Sequence, residues 1–259
     1  MSDLMKQLMK KPEKSWLNAP KFIERFEAGY MDGTGPKFTK KKSFSPSTLA
    51  YGNGACPRYW NIAFAGAEFA DDRNPYSVAN MSSGTMSHER IQNAMLSSGL
   101  AKEVERKIVC EDPPIFGYGD VILDLDEVED EEVVGEIKTM REESFAHRKA
   151  TGKAPTYHLV QLLIYMKVLK LRRGVLIYEN KNSHEIVLIP VEINGDYIQW
   201  ADQLFEWLRE VKKASDDEQL PTKPYRSNSK ICKNCPVKAA CDEAGKGVIT
   251  IPVMPVLPE

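Results

Sequence analysis

Gly119-Asp120-Val121-Ile122-Leu123, an acidic turn, and then Val133-Val134-Gly135-Glu136-Ile137-Lys138 is the stretch whose reading decides the fold. Two β-branched runs flank positions 124 to 132, where seven of nine residues are acids, so the pattern predicts strands over 116–124 and 132–139 joined as an antiparallel hairpin. With the hairpin centred on Val128, positions 120 and 136 are equidistant from the turn. That register sets Asp120 opposite Glu136, and cross-strand neighbours lie about 4.5 to 5.5 Å apart at Cβ. Side chains alternate along a strand, so Glu136 and Lys138 share a face while Ile137 points the other way, into the core. A slip of one residue would undo the match.

Two carboxylates and an ammonium on one face suit the hydrolysis of a phosphodiester. Asp120 and Glu136 can hold a hard divalent cation through oxygen, which polarises a phosphoryl oxygen and acidifies water. Lys138 can position that water or meet charge developing on the phosphate. The plain alternative is an exposed hairpin whose Asp, Glu and Lys form surface ion pairs worth about 0 to 1 kcal/mol.

Working outward, a further strand is expected at 103–110 and a helix at 85–96, bounded by Gly84 and Gly99 and carrying His88. A strong helix is expected at 157–171, two strands at 174–181 and 185–193 as a hairpin, and a helix at 197–213. Upstream, residues 4–28 read as short helices on a mobile arm, broken by Pro12 and Pro20, followed by a Gly- and Lys-rich linker to position 44. Ser45-Pro46-Ser47 starts a short helix that ends at Gly52-Asn53-Gly54, and Cys56-Pro57 opens another. The Pro-rich end, with Pro252, Pro255 and Pro258, reads as an extended tail. This order predicts an α/β fold with a mixed sheet flanked by helices. Three regions are expected: a basic helical arm and linker at 1–44, a core at 45–220, and a cysteine segment with its tail at 221–259.

The helix at 157–171 carries His158, Gln161 and Tyr165 along one side of an otherwise apolar cylinder, and a polar stripe on a buried helix points to a site. His88 can add an imidazole to the oxygen ligands, a set that suits Mn²⁺ as well as Mg²⁺.

A chain of 259 residues, 42% hydrophobic and 28% charged, fits one ordinary domain with appendages. No apolar run approaches the roughly 18 residues that span a bilayer, and the start lacks a signal-peptide core, so a cytoplasmic location is expected, in the host if the gene is phage-borne. The net charge of −2 conceals segregation: positions 1–42 hold ten Lys or Arg against five Asp or Glu. Basic residues at Lys40, Lys41, Lys42, Lys181 and Arg226, with Lys10, Lys11, Lys14, Lys223, Lys230, Lys233 and Lys238, are candidate phosphate contacts, and His158 joins them. The acidic stretch would face away from them. No G-x-x-x-x-G-K-[ST] loop is present, which leaves out an ATP motor of that type.

Cys232-x2-Cys235-x5-Cys241 places three of the five cysteines on one short loop, a spacing for metal rather than for disulfides. The fourth ligand is Cys56 or Cys110. Cys110 ends a β-like run, where a buried free thiol is ordinary, whereas Cys56 precedes a Pro as Cys235 does, which favours Cys56. Four thiolates suit structural Zn²⁺ and an iron-sulfur cluster equally.

Taken in order, His88, Gly-Tyr-Gly-Asp120, Gly-Glu136-Ile-Lys138 and His158-x-x-Gln161-x-x-x-Tyr165 resemble the RecB-like branch of the PD-(D/E)XK nucleases, over roughly 45 to 241. The usual Pro before the first acid is absent, since Gly119 stands there. The resemblance implies that His88, Asp120, Glu136 and the Ile137 carbonyl bind Mg²⁺ or Mn²⁺, that Lys138 is catalytic, and that Gln161 and Tyr165 orient the site or the DNA. It implies a restriction-endonuclease-like fold and an exonuclease acting on DNA ends, with single-strand preference or products, in recombination, repair or CRISPR-type processing. Processivity would come from a homo-oligomer or from a partner helicase or recombinase. The one-plus-three cysteines resemble the iron-sulfur nucleases of CRISPR adaptation and helicase-nuclease complexes, which implies a 4Fe-4S cluster on Cys56, Cys232, Cys235 and Cys241. The alternatives are a nucleic-acid-binding or scaffold protein with metal for folding only, and a structure-specific endonuclease.

Overall fold

Five strands make one sheet in the order β1-β2-β3-β4-β5: β1 (Ala101–Cys110), β2 (Ile115–Leu123), β3 (Val133–Met140), β4 (Arg173–Asn180) and β5 (Ile186–Glu192). The structure is a computed structural model and describes residues 17–32, 40–125 and 131–258. Residues 1–16, with Leu4, Leu8, Pro12 and Lys10, Lys11 and Lys14, and the centre of the acidic turn lie outside the described residues.

The register expected for the central hairpin is the one found: Val121 pairs with Gly135, Ile122 with Val134 and Leu123 with Val133. β1 and β2 also pair antiparallel, as do β4 and β5. Between them, β3 and β4 run parallel from Val134–Gly174 to Met140–Asn180. A parallel pair needs a crossover. It consists of α5 (Glu142–Thr151) and α6 (Thr156–Leu169). α5 was not expected from the sequence, because its residues are mostly charged and only Phe145 is buried.

The sheet is packed on both sides. On one face α6 buries Val160, Leu162, Leu163, Ile164 and Met166 beside Ile122, Val134, Leu176 and Tyr178. α3 (Pro57–Ala65) and α7 (Gly195–Asp216) extend that core with Trp60, Phe64, Trp200, Leu204 and Leu208. Each such side chain contributes about 1.5 to 3 kcal/mol on burial. On the other face a smaller cluster joins Val121, Leu123, Val133, Ile137, Val175 and Ile177 to Ile91 of α4 (Pro75–Ser98).

Several expectations are corrected. α4 begins well before position 85 and runs through Gly84, which therefore does not bound it. Pro20 opens α1 (Ala19–Met31) instead of breaking it, because a first-turn proline gives up no helical hydrogen bond, and Asn18 caps the Lys21 amide at 3.1 Å. The linker assigned to 29–44 ends in structure: Phe44 is fully buried and bridges Ile115. α2 (Pro46–Leu49) follows, then a 3-10 turn over Gly52–Ala55. The C-terminal prolines are irregular but fastened. Trp207 Nε1 donates to the Pro252 carbonyl at 2.8 Å and Trp200 Nε1 to Pro255 at 3.1 Å, while Ile251 and Leu257 are buried.

Among the described residues two units separate by packing: 17–32 with 72–83, and 40–71 with 84–125 and 131–258. In the first, α1 has no buried residue and the Tyr76 hydroxyl bonds Glu27 at 2.5 Å. Among the described residues no helix is long and apolar enough to cross a membrane.

Candidate active site

β2 and β3 pair over only three residues and then part, β2 continuing along β1 and β3 along β4. Asp120 stands at this fork. Gly117 faces Tyr165 on one side of the sheet, whereas Val121 packs with Ile137 and Ile177 on the other. Strict alternation would put both on one side, so it is broken between them, and across on β1 Glu105 has φ 52. Asp120 therefore turns into the fork. Its Oδ2 accepts the Ile137 N–H at 2.6 Å, a donor that the ladder leaves over, and its Oδ1 lies 3.5 Å from His88 Nδ1.

Glu136 lies one step beyond the ladder on β3. Its Oε1 accepts from Gln161 Nε2 at 2.6 Å and from the Lys138 ammonium. Its Oε2 is buried and has no hydrogen-bond partner. Burial first, then the charge of Asp120, pushes its carboxyl up to about 8, against the pull of Lys138. Lys138 is itself raised: burial draws its ammonium down, and the charge and hydrogen bond of Glu136 outweigh that. His88 is raised by its hydrogen bond to Asp120, with burial opposing. Gln161 also reaches the Tyr165 hydroxyl at 2.8 Å, and burial raises that phenol strongly.

The structure thus brings His88, Asp120, Glu136, Ile137, Lys138, Gln161 and Tyr165 into one connected cluster. As placed, no three His, Cys, Asp or Glu side chains among the described residues stand close enough to share an ion. The reason is visible in the contacts: each carboxylate turns an oxygen to a protein donor, Asp120 to Ile137 and Glu136 to Lys138 and Gln161. The donor set still fits a hard cation, since the buried Glu136 Oε2 lacks any donor and the Asp120 carboxylate adjoins it.

His158 belongs elsewhere. It is buried, its Nδ1 lies 3.0 Å from the Tyr178 hydroxyl, and burial, then the charges of Lys138 and Arg148, push it down to about 3. A neutral core histidine replaces the expected phosphate contact. Two neighbours were missed. Gln92, one helical turn after His88, donates to the Asp120 carbonyl at 2.9 Å and to Glu105 at 2.7 Å, a spacing of four that the sequence displayed. Arg90 on the same helix pairs with the buried Glu179.

Residues 114–242 match the family profile described as the PD-(D/E)XK nuclease superfamily. This stretch is a PD-(D/E)XK nuclease domain. The five-stranded mixed sheet flanked by helices agrees with that fold. Two crystal structures of LHK-Exo, an alkaline exonuclease from Laribacter hongkongensis, share the fold. The one in complex with dAMP is 12% identical with a TM-score of 0.51, covering 75% of this chain and 93% of that one. The other is 13% identical with a TM-score of 0.50, covering 75% and 95%. The crystal structure of SSO0001 is 17% identical over 85% of this chain and 96% of that chain, with a TM-score of 0.45. No curated protein matches the sequence.

In this nuclease domain and its flanks, Cys56, Cys232, Cys235 and Cys241 line one small cavity of about 30 Å³. Cys110 does not; its thiol points at the Asp112 carbonyl, 3.4 Å away. Cys56 is the N-cap of α3, without a side-chain cap hydrogen bond. Burial pushes its thiol up to about 11, and burial raises Cys235 too. The sequence reasoning missed Arg58, which is buried and donates to Cys241 Sγ at 3.1 Å and to the carbonyls of Pro221, Cys241 and Gly245 at 2.8, 3.0 and 2.7 Å. Of the basic candidates, Lys40, Lys42, Lys181 and Arg226 are exposed. Lys40, Lys41 and Lys42 line an open hollow of about 630 Å³ with Lys212.

Proposed function

We propose that this chain is a divalent-metal-dependent DNA exonuclease whose working groups are the residues of the β2–β3 fork. The observation that carries the reading is Glu136: a buried carboxylate with an unpartnered oxygen, beside Asp120 and bonded by Lys138, in a PD-(D/E)XK nuclease domain. Lys138 and Gln161 occupy Oε1 and leave Oε2 without a donor, so that oxygen is open to a cation.

His88, Asp120, Glu136 and the Ile137 carbonyl would hold Mg²⁺ or Mn²⁺, which supplies Lewis acidity toward a phosphoryl oxygen and toward water. Lys138 positions the attacking water and offsets charge gathering on the phosphate. Gln161 holds the Glu136 carboxylate, and Tyr165 holds Gln161, so both orient the site. Lys40, Lys41, Lys42, Lys181 and Arg226 contact phosphates of the strand. Action at ends is supported by the fold shared with an alkaline exonuclease. A second copy of the chain or a helicase would supply processivity, in recombination, repair or CRISPR-type DNA processing.

The cysteine corner, in this reading, holds a 4Fe-4S cluster that fastens the 221–259 segment to the 45–220 core. Four thiols line one small cavity there, though as placed no three of them stand close enough to share one ion. Absorption near 400 nm with iron and sulfide in anaerobic protein is the expected result, and colourless protein with one zinc per chain would replace the cluster by Zn²⁺.

The test of activity is digestion of end-labelled linear DNA beside closed circular DNA with Mg²⁺ or Mn²⁺. Linear DNA should be degraded and the circle spared, and Lys138→Ala should slow the reaction by about 10²- to 10⁴-fold. Circles cut as fast as linear molecules would mean an endonuclease. Intact DNA of both kinds would leave a binding or scaffold protein.

A further inference from the structure

Tyr51 and Tyr157 are both exposed, at 54% and 41%, yet their rings are stacked, 5.5 Å between centroids and 25° between planes. They come from distant parts of the chain: Tyr51 follows α2 and Tyr157 opens α6. Positions 157, 161 and 165 step by four along α6. One stripe therefore runs from solvent at Tyr157, past Gln161 on the Glu136 carboxylate, to the buried Tyr165. Tyr157 is one helical turn from Gln161, which bonds Glu136, so the stacked pair stands at the rim of the fork.

The pair is also rigid. The Tyr51 amide donates to the Thr48 carbonyl at 3.1 Å and its carbonyl accepts from the Gly54 amide at 2.8 Å. Tyr157 is wedged between Tyr51 and the His158 ring, whose centroid lies 4.4 Å away at 73°, and His158 is anchored on Tyr178 at 3.0 Å. One face of Tyr51 is covered by Tyr157, and the residue remains more than half exposed.

A flat ring fixed one helical turn from the group that holds Glu136 has the chemistry that receives a nucleobase, since every base has a π-face and bases follow their phosphates along the strand. We propose that Tyr51, backed by Tyr157, is a stacking platform for an unpaired base of the strand whose phosphate lies at Lys138. A base within duplex has both faces taken by its neighbours, so the platform favours single-stranded ends. The proposal rests on the nuclease reading above and deepens it.

Loss of one base–aromatic stack weakens binding by about 5- to 150-fold. The experiment measures binding of the full chain, in Ca²⁺ so that cleavage does not interfere, to a short single strand, to the same strand made abasic at its end, and to blunt duplex. Tyr51→Ala should weaken binding of the intact single strand by about ten-fold, Tyr51→Phe should restore it, and duplex binding should change less than about two-fold. Wild type should bind the abasic strand as weakly as Tyr51→Ala binds the intact one, and the two losses should not add. Equal binding by wild type and Tyr51→Ala, or losses that add, would overturn the platform. Cleavage of linear DNA by wild type in Mg²⁺, run alongside, separates the two ideas: cleavage without a stacking effect sinks the platform alone, and no binding or cleavage of any DNA sinks both.

Discussion

The β2–β3 fork and the cysteine corner both gather side chains from distant parts of the chain, yet they treat charge in opposite ways. At the fork, Glu136 is buried with one oxygen unpartnered and its carboxyl pushed up to about 8. At the corner, the equally buried Arg58 has its guanidinium occupied by three carbonyls and a thiol. The unpartnered Glu136 oxygen is open to a ligand, whereas a guanidinium occupied by three carbonyls and a thiol holds structure. In the proposed reading the fork is the working part and the corner the fastening.

Two substitutions should separate these roles most widely. Asp120→Asn keeps an acceptor for the Ile137 amide but removes the charge, so cleavage should fall by more than about 10²-fold, the cost of losing even a supporting partner of a metal ligand, with little change in melting temperature. Arg58→Ala should do the reverse in kind. It strands three carbonyls and should lower unfolding free energy by about 3 kcal/mol, seen in urea titration, while the fork keeps its Mn²⁺ affinity. Comparable loss of stability in both variants would erase the distinction.

Metal binding at the fork should depend on pH. An acid whose folded value exceeds its ordinary one favours folding below the ordinary value and loses that contribution as pH rises through the folded value, here from 4.5 to about 8. Metal-free protein should thus lose stability across that window, and Mn²⁺ should raise the melting temperature more at pH 8.5 than at pH 5.5. Mn²⁺ affinity should climb by up to about tenfold per pH unit below 8, one proton being displaced. A flat profile would mean that the ion displaces no proton from Glu136.

At the corner, Cys56→Ser should release the bound metal, whereas Cys110→Ser should leave metal content unchanged and cost at most about 1 kcal/mol. Equal loss from both would place the fourth ligand wrongly. The smallest effect concerns the lysines of the hollow. Lys40, Lys41 and Lys42 changed together to Ala should lower the slope of log affinity against log salt by about 0.7 for each phosphate they neutralise on single-stranded DNA.

The sequence showed the fork clearly because strand pairing is local there. The symmetry of 120 and 136 about Val128 fixed the register, and the observed pairs Val121–Gly135 and Leu123–Val133 have it. The parallel junction of β3 and β4 was hidden, since it depends on a crossover whose α5 is charged and shows no apolar stripe. Arg58 was hidden for a similar reason: its partners lie at 221, 241 and 245, and nothing near position 58 signals them. His158 looked like part of the polar stripe, but the helix rotates it toward Tyr178, where burial keeps it neutral.

The most direct test of the account is a crystal of the protein soaked in Mn²⁺ and measured at an anomalous wavelength. One strong peak is expected about 2.0 to 2.2 Å from Glu136 Oε2 and from an Asp120 oxygen, with Lys138 no longer bonded to Glu136. A fork that stays free of manganese, with Lys138 still on Glu136, would contradict it.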